Sequence, residues 1–167
     1  MKVAFTMNGL FGGLKGKNAD NNDNTQLPIL AKYLYKSLDD RILKNNDVDI
    51  FLFTWHHQDG DLIDEIYKPA SSVHIEQIDF EPFEHLKHGN IPRVKAHISR
   101  WYGFKKVNEL KIKYEEENNF KYDLIVNGRL DHHWERDIFF DNYDVNQVHT
   151  SYLSDRQFMQ PHHAFGR

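Results

Sequence analysis

Val48 to Trp55 reads VDIFLFTW, a run with almost no polar interruption. A strand that lay half in water would alternate, so a continuous apolar run of this length belongs to a strand covered on both faces, as in a parallel sheet. The run stops abruptly in His56, His57 and Gln58. A second run, Leu124-Ile125-Val126, stops in the same manner in Asn127, Gly128, Arg129, Asp131, His132 and His133. Buried strands that end in a cluster of polar groups end where the fold meets water or a ligand.

The rest of the chain supplies the crossovers that a parallel sheet requires. Strands are predicted near 2–7, 48–54, 72–78 and 123–128. Leu27, Leu30, Leu34, Leu38 and Ile42 recur at helical spacing behind Pro28, predicting a helix over 27–44. A short acidic helix is predicted from Asp61 to Tyr67, closed by Pro69. Trp101, Phe104, Val107, Leu110 and Tyr114 mark one stripe of a helix over 97–117 that ends near the Glu-Asn run. The order β-α-β-α-β-α-β points to an α/β fold, an open and mainly parallel sheet flanked by helices and joined by right-handed crossovers. Ligands of such sheets sit beyond the carboxyl ends of the strands, near the point where strand order reverses. NGLFGG, TWHHQD and NGRLDHH each follow a strand and are expected on that one edge.

Composition narrows the partners. At 167 residues and 40% hydrophobic, one domain over 1–167 is expected. Twenty-one Lys+Arg against 25 Asp+Glu give a formal charge of −4, so no global positive field favours nucleic acid as a partner. Cysteine is absent; any metal must sit on oxygen or imidazole, and a reducing, cytoplasmic location is compatible. No stretch approaches the roughly 20 apolar residues of a membrane span, and the N-terminus reads as a first strand, not a leader.

Several motifs fail on spacing. Gly12, Gly13, Gly16 and Lys17 invite a phosphate loop, but position 11 is Phe and Asn18 follows the Lys. The Asn/Asp run after it lacks the Gly and terminal Glu of a calcium loop. Of three His-His pairs, His56-His57, His132-His133 and His162-His163, none easily supplies two ligands to one metal, because neighbours on a strand point to opposite faces. Arg129 and Asp131, two apart, project to one side if the strand persists. There a carboxylate can hold Mg²⁺ or Mn²⁺ while substrate phosphates complete the shell, and a guanidinium can grip phosphate in a fork. The plain alternative is a surface ion pair.

IFLFTWHHQDGDLIDEIYKPASSVHIEQ, followed later by SRWYGFKKVNELKIKYEEENNFKYDLIVNGRLD, resembles the GT-A type, nucleotide-diphospho-sugar transferase-like glycosyltransferases of bacteria and viruses. The matching features are the strand ending Thr54-Trp55, Tyr67-Lys68-Pro69, the helix closing on Tyr114-Glu115, and Tyr122-Asp123 leading into Arg129-Leu130-Asp131. The resemblance implies a Rossmann-like GT-A sheet and sugar transfer from a nucleotide-sugar donor to a glycan or polysaccharide acceptor. It implies that Asp131 touches the metal, Mn²⁺ or Mg²⁺, and the donor, with Arg129 in place of one acid of an Asp-x-Asp. Asn8, Gly9, Trp55 and Asn127 would line the donor site, and Asp155 would lie near the sugar. Asp155, His132 and His133 are the candidate bases for the acceptor hydroxyl. The chain departs from that family in offering Lys15 and Lys17 where its first loop often has Arg, and in ending at Arg167, short of a full acceptor-binding part. Two other readings stay open: a non-catalytic or truncated nucleotide-sugar-binding domain, and a His/Asp metal-dependent hydrolase.

Overall fold

The computed structural model describes residues 1–11, 27–78, 80, 94–153 and 159–165. Its centre is a four-stranded sheet in the order β3-β2-β1-β4, made of β1 (Lys2–Gly9), β2 (Asp47–Thr54), β3 (Ser71–His74) and β4 (Leu124–Arg129). Every pairing in it is parallel. The continuous apolar run of β2 has the environment it demands, with Phe51, Leu52 and Phe53 fully buried.

The two faces have separate cores. Helices α1 (Leu27–Arg41) and α2 (Gly60–Tyr67) cover one face, where Val3, Phe5 and Met7 of β1 meet Leu34, Leu38, Ile63 and Tyr67. Helix α3 (Val94–Asn118) covers the other, where Ala4, Phe51 and Phe53 meet Val107 and partly buried Tyr102, Leu110 and Tyr114. The first two crossovers step away from β1 in one direction, and the third returns past β1 to place β4 on its far side. Right-handed crossovers put helices of opposite step on opposite faces.

Helix α3 ends in a local device readable in the sequence. Asn119 takes a left-handed φ of 52°. The Asn119 amide donates to the Glu116 carbonyl and the Phe120 amide to the Glu115 carbonyl, while the Phe120 ring packs 6.1 Å from Tyr114. That is a Schellman cap with its apolar contact, and Asn is the residue after Gly that tolerates the conformation.

Three expectations need correction, and one pair of strands is new. The first helix stops at Arg41, and a 3₁₀ turn, Leu43–Asn45, follows it. The third strand pairs only from Ser71 to His74, not to residue 78: the Ile75 amide donates to the Thr54 carbonyl, and beyond Thr54 the neighbouring strand has turned away. Trp101 is 68% exposed, because the face of α3 turned to the sheet runs through Gly103, Val107, Lys111 and Glu115. Finally, β5 (Val148–Leu153) and β6 (Met159–Phe165) form an antiparallel pair that the sequence reading did not anticipate. His162 and His163 lie on β6. Among the described residues, no helix is long and apolar enough to cross a membrane.

Candidate functional site

Since the sheet is parallel, β1, β2, β3 and β4 all end at one edge. Strand order reverses at β1, which has β2 on one side and β4 on the other. The β1/β4 junction is therefore where a ligand of such a sheet is expected, and the register there sets Asn8 opposite Arg129 and Thr6 opposite Asn127.

Each of these side chains has a local reason for its position. Thr6, fully buried, donates its hydroxyl to the Asn127 side-chain oxygen at 2.6 Å, which ties the polar end of β4 to β1. Asn8 lies against α3: a Cβ on Gly103 would sit 3.3 Å from the Asn8 Oδ1 and 3.0 Å from the Phe53 ring. The helix comes this close because residue 103 has no side chain. Gly9 ends β1 at a φ of 117°, a conformation L side chains rarely adopt. Gly12 and Gly13, the rest of the predicted loop motif, lie outside the described residues.

Arg129 and Asp131 meet each other. Arg129 Nε donates to Asp131 Oδ1 at 2.7 Å and Nη2 to Oδ2 at 2.5 Å, a two-pronged fork. The arginine side chain is 48% exposed and the aspartate 27%. The bond to Asp131 raises the guanidinium above its ordinary range against a smaller opposing effect of burial. The strand ends at Arg129, so Asp131 reaches the guanidinium from a turn, not from the strand, and Leu130, fully buried in the α1 side of the core, anchors that turn.

The adjacent histidines diverge. His132 packs 4.4 Å from Trp134, and burial pushes its imidazole below the usual histidine value, with Asp131 pulling the other way and Arg129 and His133 adding to the depression. His133 leaves the Arg129 neighbourhood and stacks on Tyr33 of α1 at 4.9 Å and 7° between planes. It lines a cavity of about 320 Å³ with Lys36, Asp40, Arg41 and Glu135. Trp55 is 8% exposed and sits on the α3 face among Phe53, Phe80 and Tyr102. Asp155 lies outside the described residues. The structure thus brings together Asn8, Gly9, Asn127, Arg129 and Asp131, with His132 beside them, while His133 and the Trp55 ring are directed elsewhere.

Among the described residues, no three His, Asp or Glu side chains converge as a metal cage. Among the described residues at the β1/β4 junction the hard donor is the carboxylate of Asp131, and that suits Mg²⁺ or Mn²⁺ only in the manner in which phosphate oxygens of a substrate complete the shell.

A polar chain at the ends of β2 and β3 was not foreseen. The His56 amide donates to Thr54 Oγ1 at 3.2 Å, Thr54 Oγ1 lies 2.9 Å from His74 Nδ1, and His74 Nε2 lies 2.9 Å from Asp64 Oδ1. Ser72 donates to the other Asp64 oxygen at 2.7 Å. A carboxylate only accepts, so Nε2 of His74 carries the proton, and in the neutral ring Nδ1 accepts from the threonine hydroxyl. Gly60 makes room for that imidazole, since a Cβ there would sit 2.8 Å from its Cδ2. The sequence signal was weak: a Thr at a strand end, an Asp in a helix and a His in the next strand, with no spacing rule connecting them. No family model, curated protein or solved structure matches the chain.

Proposed function

We propose that the chain is a Rossmann-like, GT-A-type glycosyltransferase domain that holds a nucleotide-sugar donor across the carboxyl ends of β1 and β4 and passes its sugar to a glycan acceptor. The observation that carries the reading is the Arg129–Asp131 fork at the point of strand-order reversal, directly across from Asn8. Sugar transfer builds negative charge on the departing nucleoside diphosphate, and fixed donors aimed at it lower the barrier. Arg129 presents a planar fork to phosphate oxygens, and its exposure leaves it able to turn from Asp131 to a ligand. A divalent cation, when bound, neutralises the diphosphate; Asp131 is the residue that would hold it. His132, whose imidazole burial pushes below the usual histidine value, is the group beside the fork that would serve as base for the acceptor hydroxyl.

A binding-only role is the second reading, favoured by one observation: both oxygens of Asp131 accept hydrogen bonds from Arg129. A screen of nucleotide sugars with Mn²⁺, reading nucleotide affinity by calorimetry and donor hydrolysis by released nucleoside diphosphate, separates them. Binding with hydrolysis or transfer supports the enzyme, binding alone the module, and no nucleotide binding removes both.

A further inference from the structure

The described chain leaving β1 and the chain leaving β2 are joined past the sheet edge by a hydrogen bond. Gly9 pairs with Thr54 in the last rung of the ladder. Two residues further along each chain, the Phe11 amide donates to His56 Nε2 at 3.2 Å. Phe11 is 2% exposed, and its ring lies 5.7 Å from both the His56 imidazole and the Tyr67 ring. Leu10 turns to the α3 core while Phe11 joins the α1 core, so the exit of β1 straddles the sheet edge.

An amide can only donate, so Nε2 of His56 must present its lone pair, which fixes the ring as neutral with its proton on Nδ1. We propose that His56 is a positioning residue: its neutral imidazole latches the chain leaving β1 at Phe11, and protonation of the ring opens the latch. The orientation of His56 is set from behind, because its own amide is held by Thr54, which is held in turn by His74 and Asp64. Burial depresses the imidazole below the ordinary histidine value. The groups that act on it are Asp59, which favours the charged ring, and His74 of β3, which opposes it; the chain leaving β1 brings the Phe11 amide and ring. Burial outweighs Asp59, so the latch is closed at neutral pH and opens in mild acid, below the unperturbed value of about 6.5. That the latch also governs donor binding rests on the proposed role of the Asn8–Gly9 segment.

The test uses the full chain and three proteins: wild type, His56→Gln and His56→Leu. Glutamine offers a carbonyl oxygen to the Phe11 amide but does not titrate, and leucine offers no acceptor. Hydrogen-exchange protection of the Phe11 amide, corrected for the intrinsic pH dependence of exchange, is measured by NMR between pH 7.5 and pH 5. Wild type is expected to lose at least about tenfold protection as His56 titrates, while the glutamine variant holds its protection throughout and the leucine variant lacks it at every pH. Wild-type protection that ignores pH, or a leucine variant as protected as wild type, overturns the latch. UDP affinity over the same pH range addresses the other reading. If the latch titrates but UDP affinity, where present, does not follow it, the latch stands and the donor role of the β1 exit falls.

Discussion

Glu115 offers a sharp test of how this fold is held together. It is 3% exposed, and its Oε2 accepts from Lys111 Nζ at 2.9 Å and Lys121 Nζ at 3.0 Å, while Oε1 accepts the Tyr122 amide at 3.1 Å. Lys111 is itself 6% exposed, so the pair lies between α3 and the sheet with little water to screen it. Burial pushes the carboxyl up, but the bonds from Lys111, the Tyr122 amide and Lys121 outweigh it and hold Glu115 below the usual carboxylate range. Glu115→Gln keeps the shape and the bond to Tyr122, but turns an NH₂ toward two ammonium groups and leaves the Lys111 charge without its anion. Breaking a buried pair from one side costs about 3–5 kcal/mol, a large part of the roughly 5–15 kcal/mol that holds a domain folded. Lys121 is 71% exposed and can swing into water, as the flexible stem of Lys111 can in part, which sets the expectation at about 3 kcal/mol. Urea unfolding at pH 7 reads it. The native pKa is depressed, so the carboxylate contributes stability above its unfolded pKa and loses it as pH falls through the native value. The gap between wild type and Glu115→Gln should therefore close below about pH 4. Replacing both Lys111 and Glu115 with Met should cost far less than the single change, since no unpaired charge remains. A single variant within about 0.5 kcal/mol of wild type at pH 7, a typical surface effect, refutes the reasoning, and so does a gap that widens in acid.

Two further outcomes follow from the β1/β4 junction. Gly128→Ala would place a Cβ 2.6 Å from Phe5 Cε1, and Phe5 is fully buried with its edge on Trp134 at 5.7 Å; overpacking should lower stability by about 1–3 kcal/mol in urea unfolding, and a neutral or stabilised variant would show that the ring can move aside. Asp131→Asn should change stability by at most about 1 kcal/mol, as for an exposed pair, while Mn²⁺-dependent UDP affinity in calorimetry falls at least about tenfold; Arg129→Lys should weaken UDP as well, because an ammonium keeps the charge and loses the fork. Wild-type affinities in both variants would leave the pair a structural one.

The strands and helices were readable where burial is expressed as apolar residues at a fixed period. Phe51 to Phe53 are buried on both faces of the sheet, and Leu34, Leu38 and Ile42 follow the helix period. The sheet-facing side of α3 was read only in part, for a related reason: Val107, Leu110 and Tyr114 of the expected stripe pack into the core, and Trp101 does not. That side carries Gly103, Val107, Lys111 and Glu115, and a hydropathy pattern reads the last two as solvent-facing, although each neutralises the other in the core. Trp101 and Phe104, whose rings lie 5.7 Å apart, extend the apolar stripe of Val107, Leu110 and Tyr114 in the sequence, although Trp101 faces solvent. The Thr54–His74–Asp64 chain was hidden because it joins three elements through space, and the β5/β6 pair because a short antiparallel ribbon carries little periodic signal.

The seating of α3 has a consequence at the candidate site. Gly103 and Val107 seat the helix over β1 and β2, with β3 under its other flank, so the helix does not cover the matching face of β4. The burial of β4 alternates as that offset requires: Leu124, Val126 and Gly128 are partly buried on the α1 side, and Ile125, Asn127 and Arg129 are exposed on the α3 side. Ile125, at 43% exposure, is the apolar cost of this arrangement. Its benefit is that Asn127 and Arg129 stand in line on an open face, above Thr6 and Asn8 of the neighbouring strand, held by backbone pairing along the strand. An anion approaching the carboxyl edge from that side would meet the Arg129 guanidinium before any other described cation at the β1/β4 junction. The polar end of the Leu124–Val126 run thus follows from where α3 lies: on the side the helix leaves open, Ile125 is the one apolar residue of β4, and Asn127 and Arg129 follow it.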